Sequence, residues 1–444
     1  MNEDVKARAD DPAVFSVEEI RGLLLKGENG IPRQTISNCR SVLMLDPMLK
    51  DRIRRNSLSG MTDLIGEMPW KRADSPTMTD TDLHEIECYL ETNYDLHSEK
   101  AVQKAIDVIA NENQYNPILE YLESLVWDGQ PRIRTLLPHF LGAEENEYTE
   151  QVTLLLMKAA LKRLYEPGCK FDCMICLVGD QGAGKSTFFR FLALMKDEWF
   201  SDDLKRLEDE NIYRKLQGHW IIEMSEMLAT ANARSIEDTK AFLSRQKDTY
   251  KIPYDRFPRD FPRQCIFVGT TNSLQFLPFD RSGNRRFIPV RINAEKAEAN
   301  LLTDEAASRA YFEQAWAEMM EIYRSEETHP LTLPEEMRDH LKTLQKEYMP
   351  EDPREGVLLS WLEDKAPDYV CSLMIWQEAF REPGRPKTWD VREINETMNR
   401  LPDWKPVSTH RFAAYGTQRA WKNPKDGFIP IPDDMLKEMP FNLT

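Results

Sequence analysis

No stretch of this sequence reaches the roughly 20 consecutive apolar residues that a membrane-spanning helix requires, so no membrane partner is expected. The opening residues, Met1 to Asp11, are polar and lack the apolar core of a secretory signal, which points to a soluble, cytoplasmic chain. Seven cysteines among 444 residues are too few for a disulfide framework. A net charge of −17 excludes the all-over basic surface of a histone-like binder, while leaving room for a local basic strip along a groove or pore. No internal repeat and no low-complexity tract stands out. Cys169, Cys173 and Cys176 do spell C-x3-C-x2-C, a spacing found in some iron–sulfur enzymes. They flank or fall in the apolar run Met174 to Val178, which reads as a buried strand. Cys173 and Cys176 are an odd number apart, so on a strand they point to opposite faces and read as small core residues.

What is present is ample for folding. The 41% hydrophobic content, with 10 Trp and 19 Phe, is enough to fill several cores, and the length predicts two or three domains. Residues 1–12 read as a disordered tail and 13–115 as a mainly helical N-terminal domain. Over 116–300, short apolar strand-like runs (Met174–Val178, Trp220–Met224, Cys265–Gly269) alternate with helical ones (Ser186–Leu194, Ile236–Leu243). That alternation predicts an α/β core with a parallel sheet. Residues 301–350 read as a helical lid or linker, and an acidic, proline-containing break at Met349 to Pro353 separates it from 351–444.

Gly179-Asp180-Gln181-Gly182-Ala183-Gly184-Lys185-Ser186 matches G-x4-G-K-[ST] completely and sits between an apolar strand and a helix, the place a P-loop must occupy. Its glycines let backbone N–H groups face phosphates, so Gly179 through Thr187 form the expected cradle for ATP. Lys185 is expected to reach the β and γ oxygens, and Ser186 to ligate Mg2+. A phosphate cradle also needs an acidic partner. The strand Trp220-Ile221-Ile222-Glu223 supplies Glu223 for the Mg2+ shell and, just beyond it, Glu226 to activate water; the two roles are interchangeable at this level, and both carboxylates could instead be solvated strand-end charges. Asn272, ending the run Cys265 to Asn272, suits a γ-phosphate sensor or, equally, a turn cap. Arg285 and Arg286, in a Gly-Asn turn, suit an arginine finger, with a surface ion pair as the plainer alternative. Between the acidic strand and Asn272, the cations Lys240, Arg245, Lys247, Lys251, Arg256, Arg259 and Arg263 mix with Tyr250 and Tyr254. Cations among aromatics suit a single nucleic-acid strand, though such a run is also an ordinary solvated face.

Taken in this order, the motifs resemble the virulence-associated protein E family, whose members look like phage- and island-encoded superfamily 3 helicases with an AAA+ core. The resemblance runs over roughly 110–295. It includes Asn116-Pro117, Tyr121 to Leu125, Trp127-Asp128-Gly129 and Pro167 to Asp172. It continues through Gly218 to Glu223, Lys240 to Asp248, Pro253-Tyr254, Phe267 to Asn272 and Gly283 to Val290. The resemblance implies a homo-hexameric ring with ATP between subunits and pore residues drawn from the basic stretch (Lys251, Tyr254, Arg256, Arg259). It further implies an ATPase that acts as a DNA helicase on single-stranded or forked DNA during replication of a phage or mobile element. The alternative is a DNA-binding switch, initiator or defence ATPase that does not unwind; a small-molecule kinase lacks an evident acceptor site. Many relatives carry an upstream primase module. This chain has no room for one, so a primase partner is expected as a separate polypeptide.

In the last segment, Trp376–Phe380 and Val391–Leu401 read as helices and Arg411–Trp421 as a hairpin, a pattern resembling a winged helix. Over 381–425, cations such as Arg381, Arg385, Lys387, Arg411 and Arg419 outnumber the carboxylates, which in so acidic a chain suggests DNA contact.

Overall fold

The structure is a computed structural model that describes residues 15–204, 212–225, 233–250, 258–277, 284–350 and 353–423. Chain contacts divide it into two compact units, Met1–Met349 and Pro350–Thr444.

The first unit opens with α1 (Val17–Leu23), α2 (Ile36–Leu45), β1 (Ile53–Asn56), β2 (Thr62–Leu64), α3 (Asp80–Tyr94), α4 (Glu99–Glu112) and β3 (Gln114–Tyr115). Capping boxes at Ser16 and Thr79 start α1 and α3, each satisfying backbone donors that a helix start leaves unpaired. Leu43, Ile86, Leu90 and Ile106 share one core under these helices. The helices follow the apolar periodicity, but the small sheet β2-β1-β3 does not. Strands of two to four residues are too short to leave an alternation in the sequence.

Then come α5 (Pro117–Ser124), α6 (Leu136–Leu141), α7 (Glu147–Tyr165), β4 (Met174–Val178), α8 (Lys185–Leu192), β5 (Phe200–Ser201), α9 (Ile212–Leu216), β6 (Ile221–Ser225) and α10 (Ala233–Leu243). They are followed by β7 (Lys247–Tyr250), β8 (Arg259–Pro262), β9 (Ile266–Thr271), β10 (Phe287–Arg291), α11 (Glu305–Ser325) and α12 (Glu335–Glu347). Five strands form one sheet in the order β10-β4-β9-β6-β5, every pair parallel. This is the mixed α/β architecture with a parallel sheet that the alternating runs predict. β4 is buried along its whole length. Ile175 and Leu177 enter one hydrophobic cluster and Met174, Cys176 and Val178 the other, while Cys173 packs against the first. Burial pushes the Cys173 thiol up to about 12 and the Cys176 thiol higher still, so both stay protonated as core residues. Arg163 of α7 is buried and donates from Nη1 to the Cys265 carbonyl at 2.9 Å and from Nη2 to the Phe171 carbonyl at 2.7 Å. It thereby ties the chain entering β4 to the chain entering β9. The segment 301–350, expected as a lid or linker, belongs to this core: Phe312, Ala315, Trp316 and Met319 of α11 pack in one cluster with Phe188 and Phe191 of α8.

The second unit contains α13 (Pro353–Lys365), β11 (Tyr369–Val370), α14 (Ser372–Met374) running into a π-turn at Ile375–Ala379, α15 (Thr388–Arg400), β12 (Lys405–Phe412) and β13 (Gly416–Lys422). The antiparallel sheet order is β11-β13-β12, and Leu358, Ile375, Ile394, Met398 and Trp421 meet in its core. The unit thus runs helix, strand, two helices and a hairpin. The hairpin is longer than the span Arg411–Trp421 read from sequence, because Lys405 to His410 also pair.

Among the described residues no helix is long and apolar enough to cross a membrane.

Candidate functional site

The loop 179–184 leaves the carboxyl end of β4 and delivers the chain to the first turn of α8, and ligand crevices of parallel sheets form outside such strand ends. Gly182 and Gly184 both take φ of +80°, a left-handed conformation that side chains rarely adopt, which is why glycine stands at these two places. Residues Gln181 to Thr187 line a cavity of about 520 Å3 together with Ser225, Thr270 and Asn272.

The side chains expected to carry the chemistry converge there. Lys185 is only 7% exposed, and its Nζ donates to the Gly179 carbonyl at 2.7 Å, the Asp180 carbonyl at 2.8 Å and Asn272 Oδ1 at 2.8 Å. Asn272 therefore faces the loop lysine from the neighbouring strand β9. Ser186 Oγ donates to Glu223 Oε1 at 2.7 Å, and the Thr270 hydroxyl donates to the same oxygen. Glu223 Oε2 is buried and has no hydrogen-bond partner among the described residues. A buried carboxylate oxygen without a donor beside a serine hydroxyl is a donor set that a hard divalent cation such as Mg2+ fits. Burial pushes the Glu223 carboxyl above its ordinary 4.5, and the bonds from Thr270 and Ser186 draw it part of the way back.

That shift has a measurable consequence. A raised folded-state value means that the ionised form costs stability, a cost that grows as pH rises from the unfolded value to the folded one. Glu223→Gln should therefore raise the melting temperature of the ligand-free protein at about pH 8 and leave it nearly unchanged below about pH 4.5. Added Mg2+ with nucleotide should stabilise the wild type more than the variant. Equal melting curves for the two proteins at both pH values would remove the buried-charge account.

The far wall of the cavity comes from residues that the motifs do not reveal: Phe140, Ala294, Ala297, Ala299, Leu301 and Leu302. Backbone bonds close this wall, with Asn293 N–H donating to the Leu141 carbonyl at 3.0 Å and Glu298 N–H to the His139 carbonyl at 2.9 Å. A Cβ on Gly142 would stand 2.0 Å from the Asn293 oxygen, so only glycine lets the two segments meet. Gly142 is the one sequence signal that marked this contact, and it is unreadable without knowing its neighbour.

The other expected site residues fall elsewhere. Met174 N–H donates to the Arg286 carbonyl at 2.6 Å, which places Arg285 and Arg286 at the amino end of β4. With ~3.3 Å per strand residue, the five residues of β4 separate them from the loop by about 15 Å. Arg286 Nε lies 3.3 Å from Asp172 Oδ2 and 3.2 Å from Ser244 Oγ, whereas the exposed Arg285 side chain has no ion pair among the described residues. Arg259 sits on the exposed hairpin β7–β8. Arg263 does not belong with the exposed cations of the basic stretch. It is buried against Asp248, with Nε–Oδ2 at 2.6 Å and Nη2–Oδ1 at 2.9 Å, and fixes the base of that hairpin. Lys240 is buried too, beside Glu237. Glu226, Lys251, Tyr254 and Arg256 lie outside the described residues.

The sequence model of the virulence-associated protein E-like domain family matches residues 122–350. No curated protein matches the chain. Among solved structures, the chain is similar to the apo NrS-1 C-terminal region (305–718), at 12% identity and a TM-score of 0.47, covering 84% of this chain and 95% of that one. An A-form apo structure of the same region aligns at 13% identity and a TM-score of 0.40, over 68% of this chain and 78% of that one.

Proposed function

The chain belongs to the virulence-associated protein E-like family, and from that premise we propose that it is an ATP-dependent DNA helicase of a phage or mobile element. In this reading it works in replication as a homo-hexameric ring that moves along single-stranded DNA. The observation that carries the reading is the meeting of Lys185 with Asn272, and of Ser186 with Glu223, on one cavity at the carboxyl end of a parallel sheet.

Backbone N–H groups of 179–187 would hold the ATP phosphates, and Lys185 would neutralise their charge. Phe140, Leu301 and Leu302 would bury the apolar end of the nucleotide. Ser186 and Glu223 would hold Mg2+, which supplies charge neutralisation across the β and γ phosphates. Asn272 would orient the γ-phosphate, and Glu226 would take the proton of the attacking water. Lys251, Tyr254, Arg256 and Arg259 would follow the DNA strand, on a hairpin whose base Arg263 and Asp248 hold rigid. A primase would be a partner in this work.

The test is ATP turnover with and without single-stranded DNA, run beside displacement of a forked duplex. Stimulated turnover with strand displacement is expected. Turnover without displacement would replace the helicase by a DNA-dependent switch, and phosphate transfer to a small molecule would replace both.

A further inference from the structure

We propose that the second unit is a duplex-DNA-binding module, with the exposed face of α15 entering the major groove and one face of the β12–β13 wing gripping the backbone. The inference rests on this unit alone and is independent of the ATPase reading.

The π-turned helix at Ser372–Ala379 and α15 are the two helices of a helix-turn-helix, in which the second helix reads DNA. α15 buries Ile394, Thr397 and Met398 and presents Thr388, Trp389 and Arg392 to solvent. Trp389 is 59% exposed at the amino end of that helix, the end that reaches base edges in such motifs, and its ring suits a thymine methyl or a deoxyribose.

The cations divide into those with ion-pair partners in the unit and those without. Arg354 is spent inside the unit on Asp390 and Glu393, and Arg400 on Glu355. Arg381 and Arg385, in the connection before α15, and Arg411 and Arg419, on the wing, are exposed and make no ion pair among the described residues. The strand register places Arg411 opposite Thr417, and Arg419 and Trp421 follow at steps of two, so all four share a face. Trp421 Nε1 donates to Asn399 Oδ1 of α15 at 2.8 Å, which makes this the helix side of the wing. The two wing arginines therefore continue the surface of α15.

The opposite face of the wing is closed on itself. His410 stacks on Tyr369 with ring centroids 3.9 Å apart, and Lys422 lies over the same Tyr369 ring. That closure also decides between kinds of DNA, because single-strand binders need a row of open aromatic faces, and among the described residues of this unit Trp389 is the one exposed aromatic. An exposed helix face flanked by arginines without ion pairs among the described residues fits a duplex, whose major groove is about 12 Å wide.

The full-length protein should be titrated against a short labelled duplex by fluorescence anisotropy over a range of salt. Four exposed arginines should release about four counterions. The quadruple variant Arg381→Ala, Arg385→Ala, Arg411→Ala and Arg419→Ala should bind about 10- to 100-fold more weakly and lose about 3 to 4 from the salt slope. The matching quadruple Arg→Lys protein should keep the slope, and Trp389→Ala should weaken binding without changing it. Basal ATP turnover should stay at the wild-type level in all three. Wild-type duplex affinity and slope in the alanine variant would overturn the proposal. So would a loss matched by the lysine variant, and so would a surface that binds an acidic protein but no duplex.

Discussion

Lys185→Ala should reduce ATP hydrolysis by at least about 10³-fold while the protein remains folded. The ammonium is nearly enclosed and donates to the Gly179 and Asp180 carbonyls and to Asn272 Oδ1. Nothing else in the cavity wall from 181 to 187 carries a positive charge, so the alanine variant would leave the phosphates without compensation where water is partly excluded. Stability should change little, because the carbonyls released border an open cavity and water can replace the lost donor. Turnover is read by phosphate release, and folding by circular dichroism. A folded variant with near-wild-type turnover would show that this loop is not where ATP is hydrolysed.

The second large effect is expected at Arg285, and it should cross a subunit boundary. Arg285 stands at the amino end of β4, about 15 Å of strand away from the loop, so it cannot reach the phosphates of its own subunit. Its exposed side chain has no ion pair among the described residues, unlike Arg286, which is engaged by Asp172 and Ser244. Arg285 is thus the finger candidate, and Arg286 holds the turn. A finger supplied by a neighbour is worth roughly 10³ to 10⁵ in rate. Arg285→Ala should therefore be nearly as inactive as Lys185→Ala, yet a mixture of the two should regain part of the activity at interfaces that combine an intact loop with an intact arginine. Arg286→Ala should instead lower the melting temperature. Co-assembled rings that stay inactive on mixing would remove Arg285 from catalysis.

Both experiments depend on features whose visibility in the sequence differed sharply. The loop 179–184 could be read directly, because its shape is local backbone: six residues fix their own φ and ψ, and Gly182 and Gly184 mark the two left-handed positions. Glu223 and Asn272 could be read almost as well, since each closes an apolar run, although β6 continues past Glu223 to Ser225. The strands themselves were legible because a parallel strand buried on both faces is apolar throughout, as Met174 to Val178 is.

The wall formed by Phe140 and Ala294 to Leu302 was not legible, because it joins segments more than 150 residues apart through backbone bonds that any residues can make. The basic stretch misled in part for the same reason: Arg263 and Arg259 are alike in sequence, and only packing against Asp248 buries one and leaves the other exposed. The mixed α/β class with its parallel sheet, and the glycine positions of the loop 179–184, were legible in the chain, since these follow from local periodicity and backbone conformation. Only the packing of distant segments sets which cations are exposed, where Arg285 and Arg286 stand relative to the loop, and what closes the cavity. Those depend on which distant residue lies alongside, and no local pattern encodes that.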